Sequence, residues 1–127
     1  MFESLPLGAT LPASDIARAK AFYGDQLGLK PVDSYEDNSL VYETGGARFV
    51  VYQSAFAGTN QATAASWEVD DVAGAVRELK SRGVEFQEFE MEDMKMVDSV
   101  LTAPDGMKAA WFFDSERNII GLVQPAP

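Results

Sequence analysis

Among the 127 residues there is no histidine and no cysteine. That removes the side chain whose charge changes near neutral pH, the thiolate nucleophile and the commonest nitrogen and sulfur ligands of metals. The remaining chemistry belongs to carboxylates, hydroxyls, amides and aromatic rings. Glu68 stands out among the carboxylates, because it lies in the small and apolar run Ala64-Ala65-Ser66-Trp67-Glu68-Val69. A carboxylate inside an apolar cleft is costly unless it is paired. There it would act as counter-charge to a basic ligand, or as a general base with a raised pKa. At a strand end it would instead meet solvent or pair with Arg48, Arg77 or Lys108. Gln53 offers an amide that could fix a ligand. The serines and threonines have no evident partner to activate them. An all-oxygen cation site needs several converging carboxylates, and only Glu68 is well placed, so neither a metal nor a cofactor is expected.

The elements that would hold these groups follow from an internal repeat. Ala9-Thr10-Leu11-Pro12-Ala13-Ser14-Asp15-Ile16 is echoed by Ala65-Ser66-Trp67-Glu68-Val69-Asp70-Asp71-Val72, at an offset of 56 residues. Each copy reads as strand, capped helix, glycine stop and strand. Asp15 and Asp71 suit the N-cap position, where a side-chain oxygen accepts from exposed backbone N–H groups. Ile16, Ala19, Tyr23 and Leu27 form one apolar stripe; Val72, Ala75, Val76 and Leu79 form the other. Gly28 and Gly83 fall where a left-handed residue ends a helix.

Strands are expected after the first helix at about Lys30–Glu36, Ser39–Glu43 and Arg48–Gln53. After the second they are expected at about Val84–Phe89, Val97–Thr102, Lys108–Phe113 and Ile119–Val123. Asp37-Asn38, Gly45-Gly46, Pro104-Asp105-Gly106 and Asp114 to Asn118 supply turn chemistry. Two βαβββ modules result, at about 5–54 and 62–124, within a single domain spanning 1–127. The fold class is α+β, with each helix covering one face of a curled mixed sheet and the other faces enclosing a cleft.

These residues resemble the glyoxalase/bleomycin-resistance/dioxygenase superfamily, the vicinal oxygen chelate fold. Asp15-Ile16 with Ala21-Phe22-Tyr23 and Leu27-Gly28-Leu29 is similar to its opening module. Trp67 to Val72 with Leu79 and Gly83-Val84 is similar to its second opening, and Ala110 to Asn118-Ile119 to its closing hairpin. The resemblance implies four metal-ligand positions on the concave faces. In this chain they fall on Gly8, Val51, Ala64 and Gly121, none of which can hold a metal. It also implies a pairing of copies, so a homodimer is expected.

Strand alternation then assigns the cleft wall. Thr10 faces in from the first strand, Phe49, Val51 and Gln53 from the fourth, and Ser66 and Glu68 from the fifth, with Trp67 turned under the helix. Trp111 and Phe113, or else Phe112, face in from the closing hairpin beside Gly121, and Tyr42 is a further candidate. Any one of the aromatic residues could instead be core. Small residues at the ligand positions are expected to leave room for an organic molecule.

The formal charge of −10 disfavours nucleic acid and would attract a cationic ligand. No apolar run approaches the roughly 20 residues of a membrane span, and the first residues do not resemble a signal peptide, so a cytoplasmic protein is expected. The acidic stretch Glu85 to Asp98, interleaved with Met91, Met94 and Met96, reads as a solvated loop or as an adaptable rim of the cleft. Three functions stay open. The first is a metal-free protein that binds or sequesters an aromatic or cationic compound, as bleomycin-resistance-type proteins sequester a drug. The second is a metal-independent enzyme of isomerase or lyase type with Glu68 as acid or base. The third is a protein-partner module without a ligand.

Overall fold

A computed structural model describes residues 1–36, 38–90 and 95–127. The helices form where the apolar stripes and caps put them. α1 (Ile16–Asp25) starts at Asp15, whose carboxylate accepts from Arg18 N at 3.0 Å. α2 (Val72–Ser81) starts at Asp71, which accepts from Gly74 N at 3.1 Å. Each stripe buries two residues fully or nearly so: Ala19 and Tyr23 on α1, Val72 and Val76 on α2. Both helices end in the same way. Gly28 and Gly83 take positive φ, and the next amides, Leu29 N and Val84 N, return to the carbonyls of Tyr23 and Leu79.

Two sheets carry these helices. The first holds β1 (Ala9–Ala13), β2 (Asp33–Tyr35), β3 (Ser39–Thr44) and β4 (Ala47–Gln53), in the order β1-β4-β3-β2. The second holds β5 (Thr63–Glu68), β6 (Met96–Val97), β7 (Val100–Thr102), β8 (Lys108–Phe113) and β9 (Ile119–Gln124), in the order β5-β9-β8-β7-β6. In each sheet the strand before the helix lies parallel to the last strand of its module, β1 on β4 and β5 on β9, and all other pairs are antiparallel. α1 packs on β3 and β4, α2 on β7, β8 and β9, and β1 meets β5 at the seam between the sheets. The architecture is the vicinal oxygen chelate arrangement, α+β with two unclosed sheets.

Three strand expectations change. The stretch 84–89 forms no strand; Phe86 makes a single bridge to Phe112, flanked by bonds from Gln87 N to Trp111 O and from Phe113 N to Glu85 O. The expected strand 97–102 is a hairpin of β6 and β7, turned at Asp98 and Ser99, both with positive φ. That pair of conformations is the I′ turn, whose twist matches the flanking strands. The expected strand from Lys30 shortens to Asp33–Tyr35. Of the expected turn at Asp37-Asn38, Asp37 lies outside the described residues. So do Met91 and Met94 of the expected rim.

One apolar cluster spans both modules. It includes Leu11, Tyr23, Tyr42, Phe49 and Val51 of the first and Val72, Val76, Phe112, Ile120 and Leu122 of the second. At about 25 cal/mol per Å2 of apolar surface removed from water, such a shared cluster ties the halves together without any covalent staple.

Candidate functional site

The register settles which side chains share a face. In the first sheet Leu11 is opposite Val51, Leu40 opposite Val51 and Tyr42 opposite Phe49. All of these are buried, and Tyr42 and Phe49 stack at 5.0 Å with Tyr23 of α1 against both. This is the helix-covered face, so Phe49, Val51 and Tyr42 do not face the open side as alternation suggested. Gln53 shares their phase but lies exposed at the strand end, where its amide donates to Ser14 O at 2.9 Å. The open face carries Thr10, Pro12, Val50 and Tyr52. The phase was lost because the run Phe49-Val50-Val51-Tyr52 is apolar on both faces and has no alternation to read.

In the second sheet the expected faces hold. Trp67, Leu122, Ala110, Phe112 and Ile120 lie under α2. Ser66, Glu68, Gly121, Trp111 and Phe113 share the open face. Phe112 is therefore core and Phe113 the open-face ring. Trp111 packs against Phe89 at 5.4 Å. The Arg117 guanidinium sits 3.9 Å over the Phe113 ring and pairs with Glu85 at 2.6 Å, which covers one face of that ring.

A cavity of about 350 Å3 opens where the modules meet. Leu11, Phe49, Trp67 and Ile120 give it apolar walls; Ser66, Glu68 and Arg48 bring polar groups. It thus unites Phe49, Ser66 and Glu68 of the expected site residues. Thr10, Tyr42, Val51, Gln53, Trp111, Phe113 and Gly121 do not line it. Trp67, which alternation set aside as covered, is a wall of the cavity, with its ring edge-on to Phe49 at 6.1 Å. Its indole N–H donates to Thr44 Oγ1 at 3.1 Å, which fixes the ring. Its covered position in the strand pattern was legible; its place at the seam was not, because that needs the docking of one module on the other.

Charge at the mouth is uneven. Arg48 is engaged by Glu43 at 2.7 Å, across the β3–β4 pair. Glu68 makes no ion pair among the described residues, so none of its expected partners Arg48, Arg77 and Lys108 holds it. The carboxylate is exposed and available to a cation.

The positions that resemble metal-ligand positions do not fit a metal. Gly8, Ala64 and Gly121 carry no side-chain donor atom, and Val51 is in the core. A Cβ at Gly8 would lie 2.9 Å from the Arg48 carbonyl oxygen, and one at Gly121 would lie 2.6 Å from Ser66 Oγ. Glycine at these two places serves close packing, which corrects the expectation that they leave room for a ligand. Among the described residues no group of three His, Cys, Asp or Glu side chains converges on a common point.

Below the seam, polar groups join the modules. Asp114 is buried and accepts from Tyr23 Oη at 2.7 Å, from Asn118 Nδ2 at 2.9 Å, and from the amides of Glu116 and Asn118. Glu116 accepts from the amides of Ser14 and Asp15, each at 3.0 Å, and from Arg18 at 2.8 Å. Burial disfavours its charge, but hydrogen bonds from Arg18, Ser115 and Asp15 and the Arg18 charge outweigh that and hold its pKa down at about 2. The sequence showed this segment only as a turn. Its acidic and amide residues were a signal for backbone capping, but nothing local said whose backbone.

A family model described as "Glyoxalase/Bleomycin resistance protein/Dioxygenase superfamily" matches residues 7–118. Among solved structures, lactoylglutathione lyase from Agrobacterium tumefaciens is similar, with a TM-score of 0.69 at 18% identity over 97% of this chain and 95% of that one. A glyoxalase/bleomycin resistance protein from Catenulispora acidiphila DSM 44928 gives 0.68 at 19% identity, over 96% and 99%. The fosfomycin resistance protein FosX from Mesorhizobium loti gives 0.66 at 12% identity, over 98% and 94%. A search of curated proteins finds no match. At these identities the likeness is one of fold.

Proposed function

The chain belongs to the glyoxalase/bleomycin resistance protein/dioxygenase superfamily, and from that premise we propose that it binds a small aromatic or cationic compound, such as an antibiotic, in the seam cavity without a metal. The observation that carries this reading is the pairing of an apolar, aromatic-walled cavity of about 350 Å3 with the exposed Glu68 carboxylate, which makes no ion pair among the described residues. A few placed polar groups on an apolar wall are what an organic ligand site needs. Phe49 and Trp67 supply surface for a flat ring, Ser66 a hydroxyl, and Glu68 a counter-charge. The net charge of −10 favours the approach of a cation.

An exposed Glu68 suits a counter-charge better than a general base, whose strength in such a site would come from burial. A homodimer and a cytoplasmic location are part of the same reading. The exposed side chains of Phe2, Leu5, Leu7 and Phe56 offer apolar surface to a second copy. No described helix is long and apolar enough to cross a membrane.

The test is a titration with proflavine, a flat aromatic cation, read by tryptophan fluorescence and by thermal shift. Saturable quenching that Ser66→Trp abolishes is the expected result. A flat titration with no thermal shift across a panel of such cations would reject the reading.

A further inference from the structure

A second cavity, of about 640 Å3, lies between α2 and the β6–β7 hairpin, away from the seam. Its floor is apolar: Val76 and Val100 are buried, with Ala73 beside them and the exposed Val97 at the edge. Its polar lining is of the opposite sign to the protein. Arg77, Lys80 and Lys108 line it, three of the ten basic residues of a chain whose net charge is −10, against one carboxylate among the described residues, Asp98.

The fold puts these cations together for reasons of spacing. Arg77 and Lys80 sit one turn on from Ala73 and Val76, and Ser81 one turn beyond Arg77, on the same flank of α2. Lys108 opens β8 directly opposite Thr102 of β7, in phase with Ala110 and Phe112. It therefore stands on the face that α2 covers, where its neighbours in phase are core residues. Lys108 is half-buried there, beside core residues. Among the described residues Arg77 and Lys108 make no ion pair, and Lys80 reaches Glu88 only at 4.0 Å.

We propose that this cavity binds an organic oxyanion, a compound whose phosphate or carboxylate meets Arg77, Lys80 and Lys108 while its apolar body lies on Val76, Val97 and Val100. Arginine offers a planar fork that matches two oxygens of such a group, and lysine adds a point charge. Thr102 and Ser81 supply hydroxyls at the rim. A lining that is both cationic and apolar selects for an amphipathic ligand over inorganic phosphate or an uncharged ring. The site is independent of the seam cavity, and no residue lines both.

The experiment compares phenyl phosphate, benzoate, inorganic phosphate and phenol by calorimetry and by amide chemical shifts on the intact chain. Phenyl phosphate or benzoate is expected to bind saturably, with shifts centred on Arg77, Val97, Val100 and Lys108, and which binds better identifies the head group. The R77Q/K108Q pair should weaken that binding by roughly tenfold or more. Ser81→Trp, which places an indole at the rim, should block it by bulk with the charges intact, while Ser66→Trp at the seam should leave it unchanged. Phenol binding as tightly as phenyl phosphate and benzoate, inorganic phosphate binding as tightly as phenyl phosphate, or an R77Q/K108Q protein that binds them all as the parent does, would each overturn the proposal.

Discussion

The hydroxyl of Tyr23, on the first helix, donates to the Asp114 carboxylate of the last hairpin at 2.7 Å, with both groups buried. Burial and the facing Asp114 charge raise the phenol's pKa, so it stays a donor. The neighbouring ring of Tyr42, tilted against it, is equally buried, yet its hydroxyl has no hydrogen-bond partner among the described residues, and burial pushes its pKa up to about 12.

Two neighbouring buried tyrosines should therefore answer the same substitution differently. Tyr23→Phe strips a donor from a buried carboxylate and should cost about 1–3 kcal/mol. Tyr42→Phe removes an unsatisfied hydroxyl and should be neutral or stabilising by up to about 1 kcal/mol. Urea denaturation of the two variants decides it; equal losses would show that the Asp114 bond carries no special weight.

Glu116 should make stability depend on acid. In the unfolded chain a glutamate titrates near 4.5, and here its pKa is held at about 2. The lowered value means that the folded state favours the carboxylate. The stabilisation is complete above about 4.5 and drains as the pH falls towards 2. Its size is on the order of 3 kcal/mol. Glu116→Gln should lower stability at neutral pH and flatten the acid limb of a stability–pH curve. A variant curve parallel to that of the parent would contradict the assignment.

Gly121→Ala tests the close approach on the open face. The added methyl would lie 2.6 Å from Ser66 Oγ, and overpacking of this kind costs typically about 1–3 kcal/mol. Removing the hydroxyl with Ser66→Ala should recover part of the loss in the double variant. Thermal melts of the four proteins in that cycle measure the recovery, and strict additivity would mean that the two groups do not meet.

Ligand at the seam should report through one tryptophan. Trp67 lines the cavity, whereas Trp111 lies on the open face of the second sheet against Phe89. Proflavine should still quench Trp111→Phe and should lose most of its quenching in Trp67→Phe. Glu68→Gln should weaken the cation by at most about 1 kcal/mol, because the carboxylate is exposed and salt screens it. Quenching that follows Trp111 instead would move the ligand off the seam.

Local features were the most legible in the sequence. Asp15 and Asp71 cap their helices because capping needs only a side chain and an amide three residues on. Gly28 and Gly83 end them for a similar local reason. The second sheet was readable by face because Ser66 and Glu68 alternate with Ala65 and Trp67. The first was not, because Leu40-Val41-Tyr42 is buried throughout and β4 is apolar on both sides. What decided Phe49 and Tyr42 was the docking of Tyr23, a contact with no sequence period. Of the site, Glu68 and Ser66 were readable from spacing. Arg48 and the wall formed by Trp67 became visible only once β1 met β5.

The cap that Glu116 places on Ser14 and Asp15 reaches back 102 and 101 residues. A ribosome adds roughly 5–20 residues per second, so Ser14 and Asp15 are made on the order of ten seconds before the carboxylate that caps them exists. Through that interval the Tyr23 hydroxyl waits for a partner not yet synthesised. Vectorial synthesis thus works against this fold's own geometry: the first half is made early, but it is finished by the later β8–β9 hairpin.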